Sequence, residues 1–375
     1  MDVSFLAPVL AAPGPYATVC ADVTHTTENA DAELDLRVRA LTEQLSGQGA
    51  PEPVVEAVRG RLLEGNDGGQ AGTLRGRALV VASDGSVVLD EILADAPGQA
   101  LASWSPQPDV LAVLRQLAAR VPHVVVVADR VGADIVAVGL SGEEDEKQVG
   151  GDSFHMRKVK VGGWAHNTYM HTAENQWEEN MGRVADEVGD LVGGLGARFV
   201  LVAGDVRARQ LLADKAAPAW ADLVVSTDEG GRAAGADRER VTRRAAELVA
   251  EHEAREIASA VEQVQAAGAH GLAVTGTAAV VEALRKGQVE TLLLADPLDP
   301  DATLLVGNSP LELGTGQQDM DALGTHGQVV PAGTALVAAA VAGAAGLVVV
   351  PQAALPDHPV AAVLRYADDS TSSGQ

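Results

Sequence analysis

Residues 123–140 read HVVVVADRVGADIVAVGL, from His123 to Leu140. Two apolar, β-branched runs flank a short turn near Arg130–Ala133, and each run is strand length, which predicts a β-hairpin. The segments downstream of this hairpin decide the fold class. GEEDEKQVGGD (Gly142–Asp152) predicts an acidic, glycine-bearing surface loop. Beyond FHMRKVKVGGWAHN (Phe154–Asn167), a helix is expected from about Asn167 to Val192. Its Met170, Ala173, Trp177, Met181, Val184, Val188 and Leu191 fall on one apolar stripe. ARFVLVAGD (Ala197–Asp205) then predicts a buried strand, Val206–Ala213 a helix, and DLVVST (Asp222–Thr227) a further strand. Strands separated by helices imply α/β layers.

Upstream, YATVCADV (Tyr16–Val23) predicts a strand, followed by helices over Ala32–Ser46 and Glu52–Leu63. A glycine-rich loop separates these from a hairpin, RALVVAS and SVVLDEI, turning at Asp84-Gly85. SWSPQPDV (Ser103–Val110) is read as a breaker before a helix over Val110–Arg120. Downstream, Arg238–Ala267 is strongly helical, Leu272–Thr275 a short strand or turn, Thr277–Lys286 a helix, and VETLLLAD and GLVVVP strands. The expected fold is α/β in three domains, at residues 1–120, 121–247 and 248–369, with 370–375 a disordered tail.

The 375 residues carry a formal charge of −25, which opposes nonspecific affinity for nucleic acid or anionic membranes. Any RNA contact must then be a local basic island. The single Cys20 excludes an intramolecular disulfide framework and a cysteine zinc cluster, and its apolar setting predicts a buried thiol. Val329–Val350 is apolar, yet it contains Pro331, Gly333, Gly343 and Gly346 and lacks basic flanks. It predicts a buried alanine-rich helix running into a strand, and with no signal peptide the chain is expected to be cytoplasmic. No Walker loop or Gly-x-Ser-x-Gly elbow occurs, and GGLGAR (Gly193–Arg198) precedes a strand instead of coming after one. No cofactor is expected.

The order of these pieces resembles the archaeo-eukaryotic release factor superfamily, which includes Pelota and its bacterial relatives. The likeness rests on VVVVADRVGADIVAVG, the long loop and helix, FVLVAGDVRARQLL, GLAVTGTAAVVEALRKGQVETLLLADP and GLVVVPQAALPDHPVAAVLRY. In the first block only GPYATVCADV and the helix after it are similar, and only to the bacterial branch. The resemblance implies a mixed α/β N-terminal domain, a ribonuclease-H-like middle domain and an L7Ae-like α/β sandwich C-terminal domain. It also implies a ribosome-binding translation factor, and within the bacterial branch a hibernation role, occupying the A site beside rRNA. Association with elongation factor Tu is implied by the family alone, as is a partner surface at Arg285 and Lys286. A solvated helix end is an equal reading of those two residues. Neither DNA nor membrane is an expected partner.

In the superfamily a Gly-Gly-Gln tripeptide catalyses peptide release from the middle-domain loop. Here that loop reads Val161-Gly162-Gly163-Trp164-Ala165-His166-Asn167, with tryptophan where glutamine would stand. An indole donates one N–H and accepts nothing, so it is poorly suited to place a water but well suited to stack on a base. The literal Gly68-Gly69-Gln70 lies in the first block, where glycines serve a helix end and a turn. Arg157, Lys158 and Lys160, with His155 beside them, stand close to Gly162, Gly163, Trp164, His166, Asn167 and Tyr169, a combination suited to looped RNA. Two plain alternatives remain, a basic strand edge and a Trp164 that plugs the core. Asp129, Asp134 and Asp205 at strand ends keep a Mg²⁺-dependent nuclease open as another reading, beside a peptidyl-tRNA hydrolase. His166 and His171, five apart, do not share a helix face and make a poor metal pair.

Overall fold

Helix α1 (Ala7–Ala11) leads into strand β1 (Tyr16–Asp22), whose alternate side chains face two different cores. The computed structural model describes residue 3 and residues 6–24, 30–64, 76–93, 96–118, 121–129, 131–139, 144–150, 164–230 and 238–368. Two compact units divide the chain: Met1–Ala119 together with Ala254–Gln375, and Arg120–Glu253.

In the first block, α2 (Ala30–Gly47) and α3 (Glu52–Leu63) precede β2 (Gly76–Ala82), β3 (Val87–Leu93), β4 (Leu101–Ser105) and α4 (Leu111–Ala118). The antiparallel sheet runs β3-β2-β1-β4. Ala17, Val19, Leu79 and Val81 pack under Leu34, Val38 and Leu45 of α2 and Val54, Val58 and Leu62 of α3. The expected breaker at Ser103–Val110 is corrected: Ser103, Trp104 and Ser105 pair with β1, and the strand stops only at Pro106. Two glutamines four residues apart, Gln44 on α2 and Gln48 just past its end, close this edge. Gln44 and Gln48 both donate through Nε2 to the Ala102 carbonyl (2.9 and 3.1 Å), and Gln48 Oε1 accepts from the Trp104 N–H at 2.6 Å.

The second unit contains β5 (His123–Ala128), β6 (Gly132–Val138), β7 (Glu144–Gly150), α5 (Trp164–Leu195), β8 (Phe199–Gly204), α6 (Val206–Lys215) and β9 (Val224–Ser226). Helix α7 (Arg238–Gly268) comes next. Strand order is β7-β6-β5-β8-β9, with β6 antiparallel to β5 and β7, and β8 parallel to both β5 and β9. This is the ribonuclease-H arrangement expected of the middle segment. Both faces are buried, which accounts for unbroken apolar runs in place of alternation. Val124, Val126, Val200 and Val202 face Met181, Val184 and Val188 of α5 and Leu211 and Leu212 of α6. Phe199, Leu201 and Ala203 face Val241, Ala245 and Leu248 of α7. Phe199 also stacks between His123 (4.7 Å) and His252 (5.4 Å).

Two expectations change here. Glu144–Gly150 is an edge strand paired with β6, where a loop was expected. Its run of charge hid it, yet charged side chains are how exposed edges avoid further pairing. Helix α5 starts at Trp164, three residues before the expected Asn167, because nothing in Trp164-Ala165-His166 interrupts a helix once the two glycines are passed.

The third block holds β10 (Ala273–Thr275), α8 (Thr277–Arg285), β11 (Val289–Asp296), β12 (Thr303–Val306), β13 (Leu313–Gly314), α9 (Gln317–Leu323), β14 (Gln328–Pro331), α10 (Ala332–Ala342), β15 (Gly346–Pro351) and β16 (Val360–Leu364). Its main sheet, β10-β16-β11-β15, is sandwiched. Leu293 and Ala361 meet Ala260 and Val264 of α7, while Leu292, Leu294 and Ala362 join a cluster with Val280 and Leu284 of α8 and Leu336 and Val337 of α10. Helix α10 is buried on all sides, as an all-apolar helix must be in water. No described helix is long and apolar enough to cross a membrane.

The first and third blocks carry separate sheets and share one core, in which Leu111, Val113 and Leu114 of α4 cluster with α10. Gly333 is small where α4 comes close: a Cβ there would lie 2.7 Å from a Leu111 methyl. Beside it the Thr334 hydroxyl donates to Asp109 Oδ1 at 3.1 Å, and Arg115 pairs with Asp296 at 2.7 Å.

Candidate nucleic-acid interface

Strand pairing gathers several chain segments at one end of the β5–β9 sheet. The last residue of β7, Gly150, lies opposite Gly132, the first of β6. Ala128 ends β5 opposite Ala133 and beside Gly204, the end of β8. The 129–132 turn, the start of α6 and the exit from β7 therefore share this end. Helix α5 comes from it too, because α5 delivers the chain to Phe199 at the opposite end.

At 32 residues α5 is about 48 Å long, more than twice the length of the strands it covers. Its contact with β7 fixes how far it projects. Lys147 Nζ meets Glu187 Oε1 at 2.7 Å. Lys147 lies about 10 Å short of Gly150 along the strand, and the same distance back along α5 reaches residue 180. The first turns of α5 thus extend about 20 Å past the sheet, with Trp164 first. Trp177 is the first described side chain of α5 packed on the core.

The two turns at the sheet end are built alike. Asp129 Oδ1 accepts from the N–H groups of Val131 (2.8 Å) and Gly132 (2.9 Å). Asp205 caps α6, its Oδ1 accepting from Arg207 (2.9 Å) and Ala208 (3.2 Å). Gly204 joins the turns: its φ is +104°, and the Asp205 N–H donates to the Ala128 carbonyl at 2.9 Å. Asp134 pairs with Arg238 at 3.0 Å. All three carboxylates considered for Mg²⁺ are thus engaged in turns, a cap or an ion pair. Among the described residues no group of His, Cys, Asp or Glu is placed to hold a metal ion.

Of the expected RNA-binding residues, Arg157, Lys158, Lys160, Gly162 and Gly163 lie outside the described residues, as do His155 and the Gly68-Gly69-Gln70 tripeptide. Trp164, His166, Asn167 and Tyr169 occupy the first two turns of α5, and their side chains are outside the description. The partner-surface pair is engaged internally. Arg285 lies 3.8 Å from Asp319; Lys286 pairs with Glu282 at 2.7 Å and Asp368 at 3.5 Å. Ion pairing with Glu282 and Asp368 raises the Lys286 pKa, and hydrogen bonds from Thr315 lower that of Asp319.

Charge is unevenly divided. Residues 120–253 hold 16 of the 27 Lys and Arg but only 23 of the 52 Asp and Glu, so −7 of the −25 falls there. The other unit is far more acidic, and Arg37, Arg59, Arg61, Arg77 and Arg115 are each ion-paired within it. Three residues at the sheet end went unnoticed in the sequence: Val131 (40% exposed), Val206 (59%) and the exposed Arg207. Only strand order brings them together.

Residues 122–270 match the family model described as Bacterial archaeo-eukaryotic release factor family 2. Over 366 residues the chain is 28% identical to the uncharacterized proteins Rv2629 and MT2704 from two strains of Mycobacterium tuberculosis, covering 96% of this chain and 95% of each relative. Among solved structures, Archaeoglobus fulgidus Pelota is 16% identical, covering 98% of this chain and 93% of its own, with a TM-score of 0.36. Dom34 of S. cerevisiae is 12% identical, covering 80% and 81%, with a TM-score of 0.43.

Proposed function

We propose that this chain is a Pelota-like translation factor of the archaeo-eukaryotic release factor superfamily that binds the ribosome and occupies its A site without catalysis, similar to the hibernation factor Balon. The observation that carries this reading is the family match over residues 122–270, which takes in nearly the whole middle unit. The strand order of that unit and the projection of α5, with Trp164 first, agree with it. Gly162-Gly163-Trp164 would approach rRNA near the peptidyl-transferase centre, with Arg157, Lys158, Lys160, His166, Asn167 and Tyr169 contributing to the contact. The absence of glutamine from this tip favours occupancy over peptide release. The first block would reach the decoding region. Elongation factor Tu would be met through the third block, where the end of α8 is the candidate, and the protein would act in the cytoplasm without a cofactor.

Co-sedimentation with 70S ribosomes across a salt series tests the reading, with a Trp164→Ala, Lys158→Glu, Lys160→Glu variant alongside. Binding that weakens steeply with salt and is lost in the variant is expected. A peptide-release assay on the same ribosomes should show no product from the wild type or from Gln70→Ala. No sedimentation at low salt, even with elongation factor Tu present, would overturn the proposal.

A further inference from the structure

We infer a second RNA contact at the foot of the projecting part of α5, formed by Arg207 with Val206 and Val131. It rests on the ribosome-binding reading and is separate from the Gly162-Gly163-Trp164 tip.

Helices α5 and α6 both run away from the loop end of the sheet and share one core. The first turn of α6 therefore stands beside α5 where that helix leaves the sheet, about 20 Å below its tip. Val206 is the outermost residue of this turn, opposite the buried Ala208, Leu211 and Leu212. Val131 tops the neighbouring turn, held against the first by the Asp205–Ala128 hydrogen bond. Val131 and Val206 thus both stay in water on adjoining turns, in a unit whose other valines are mostly in the core.

Arg207 is the cation of this surface. Its backbone N–H is taken by Asp205, yet its guanidinium makes no ion pair among the described residues. Neighbouring arginines differ: Arg209 Nε donates to the Gly204 carbonyl at 3.2 Å, and Arg238 pairs with Asp134. Asp129 and Asp205 accept backbone N–H groups of their own turns, two each. The α6 N-terminus is not the anion site, since Asp205 already occupies its free N–H groups. There remains an exposed guanidinium next in sequence to the exposed Val206, with the exposed Val131 on the adjoining turn. A phosphate takes the guanidinium by paired N–H bonds, and valine methyls fit against the ribose faces that line the shallow RNA minor groove. In a chain of charge −25, an unpaired arginine on the face presented to an RNA surface is the residue expected to meet a phosphate.

The test is 70S binding over a salt series with Arg207→Glu, Arg207→Lys and Lys215→Glu. Lys215 ends α6, far from the contact, and controls for net charge. Arg207→Glu should weaken binding and lower the slope of log K against log salt by about one, while Arg207→Lys and Lys215→Glu keep the wild-type slope. If the wild type binds and Arg207→Glu behaves like Lys215→Glu, the second contact is overturned and the tip contact stands. Weakening without a change of slope would mark a protein contact and overturn the RNA assignment. A wild type that fails to bind overturns both readings together.

Discussion

Lys147 and Glu187 join the two elements on either side of residues 151–163, Nζ to Oε1 at 2.7 Å. One belongs to an edge strand and the other to the long helix, and their contact sets how far that helix outruns the sheet. Donating this hydrogen bond to Glu187 raises the Lys147 pKa, so the ammonium stays protonated through neutral pH. Both side chains remain partly in water, and the pair serves as a register mark more than as a source of stability.

Gly204→Ala should destabilise the middle unit by about 3 kcal/mol. A methyl there meets the Ala128 carbonyl oxygen head on, and the +104° φ is one that only glycine adopts freely. Urea unfolding followed by circular dichroism should show the midpoint fall. An unchanged midpoint would mean that the β5 and β8 ends do not close as described.

Asp109 ties the first block to the third, and desolvation raises its pKa above the ordinary 3.8 despite the Thr334 hydrogen bond and the nearby Arg115. A carboxyl whose folded pKa lies above its unfolded value binds its proton more tightly when folded. The stability it lends is complete below 3.8 and is lost as pH rises through the folded pKa. Asp109→Asn removes this dependence while keeping an acceptor for Thr334. The Tm of the variant relative to wild type should therefore rise between about pH 3.5 and pH 7. A Tm difference that stays flat or falls over that interval would refute the account.

Cys20 is buried, and desolvation, with Asp109 nearby, pushes its thiol up to about 12. Only the thiolate reacts, so iodoacetamide at about pH 8 should leave the folded protein unmodified and label it fully in urea. Mass spectrometry reads the outcome directly. Rapid labelling of the native protein would place Cys20 in a solvent-reached pocket.

Sequence reading located the elements that announce themselves by composition. His123–Ala128 and Phe199–Gly204 are apolar from end to end because helices cover both faces, and α10 stood out for the same reason. It missed β7 and β4, whose residues look like loop because each lies at a sheet edge, where pairing comes from one neighbour and side chains face water. At the candidate site, Asp129 and Asp205 suggested metal chemistry, and only backbone geometry reveals two carboxylates each accepting its own turn's N–H groups. Val131 and Arg207 are 76 positions apart, so no periodicity in the sequence could pair them.

Gln44 and Gln48, at the end of α2 and just past it, determine what the first sheet can become. The Ala102 carbonyl and the Trp104 N–H are hydrogen-bonding groups that a further strand would need at the β4 edge, and both are already satisfied from within. A copy of the chain arriving at β4 would have to strip amides from Gln44 and Gln48 before forming its first ladder bond. Side chains thus cap that border, which opposes growth of the four-stranded sheet past β4.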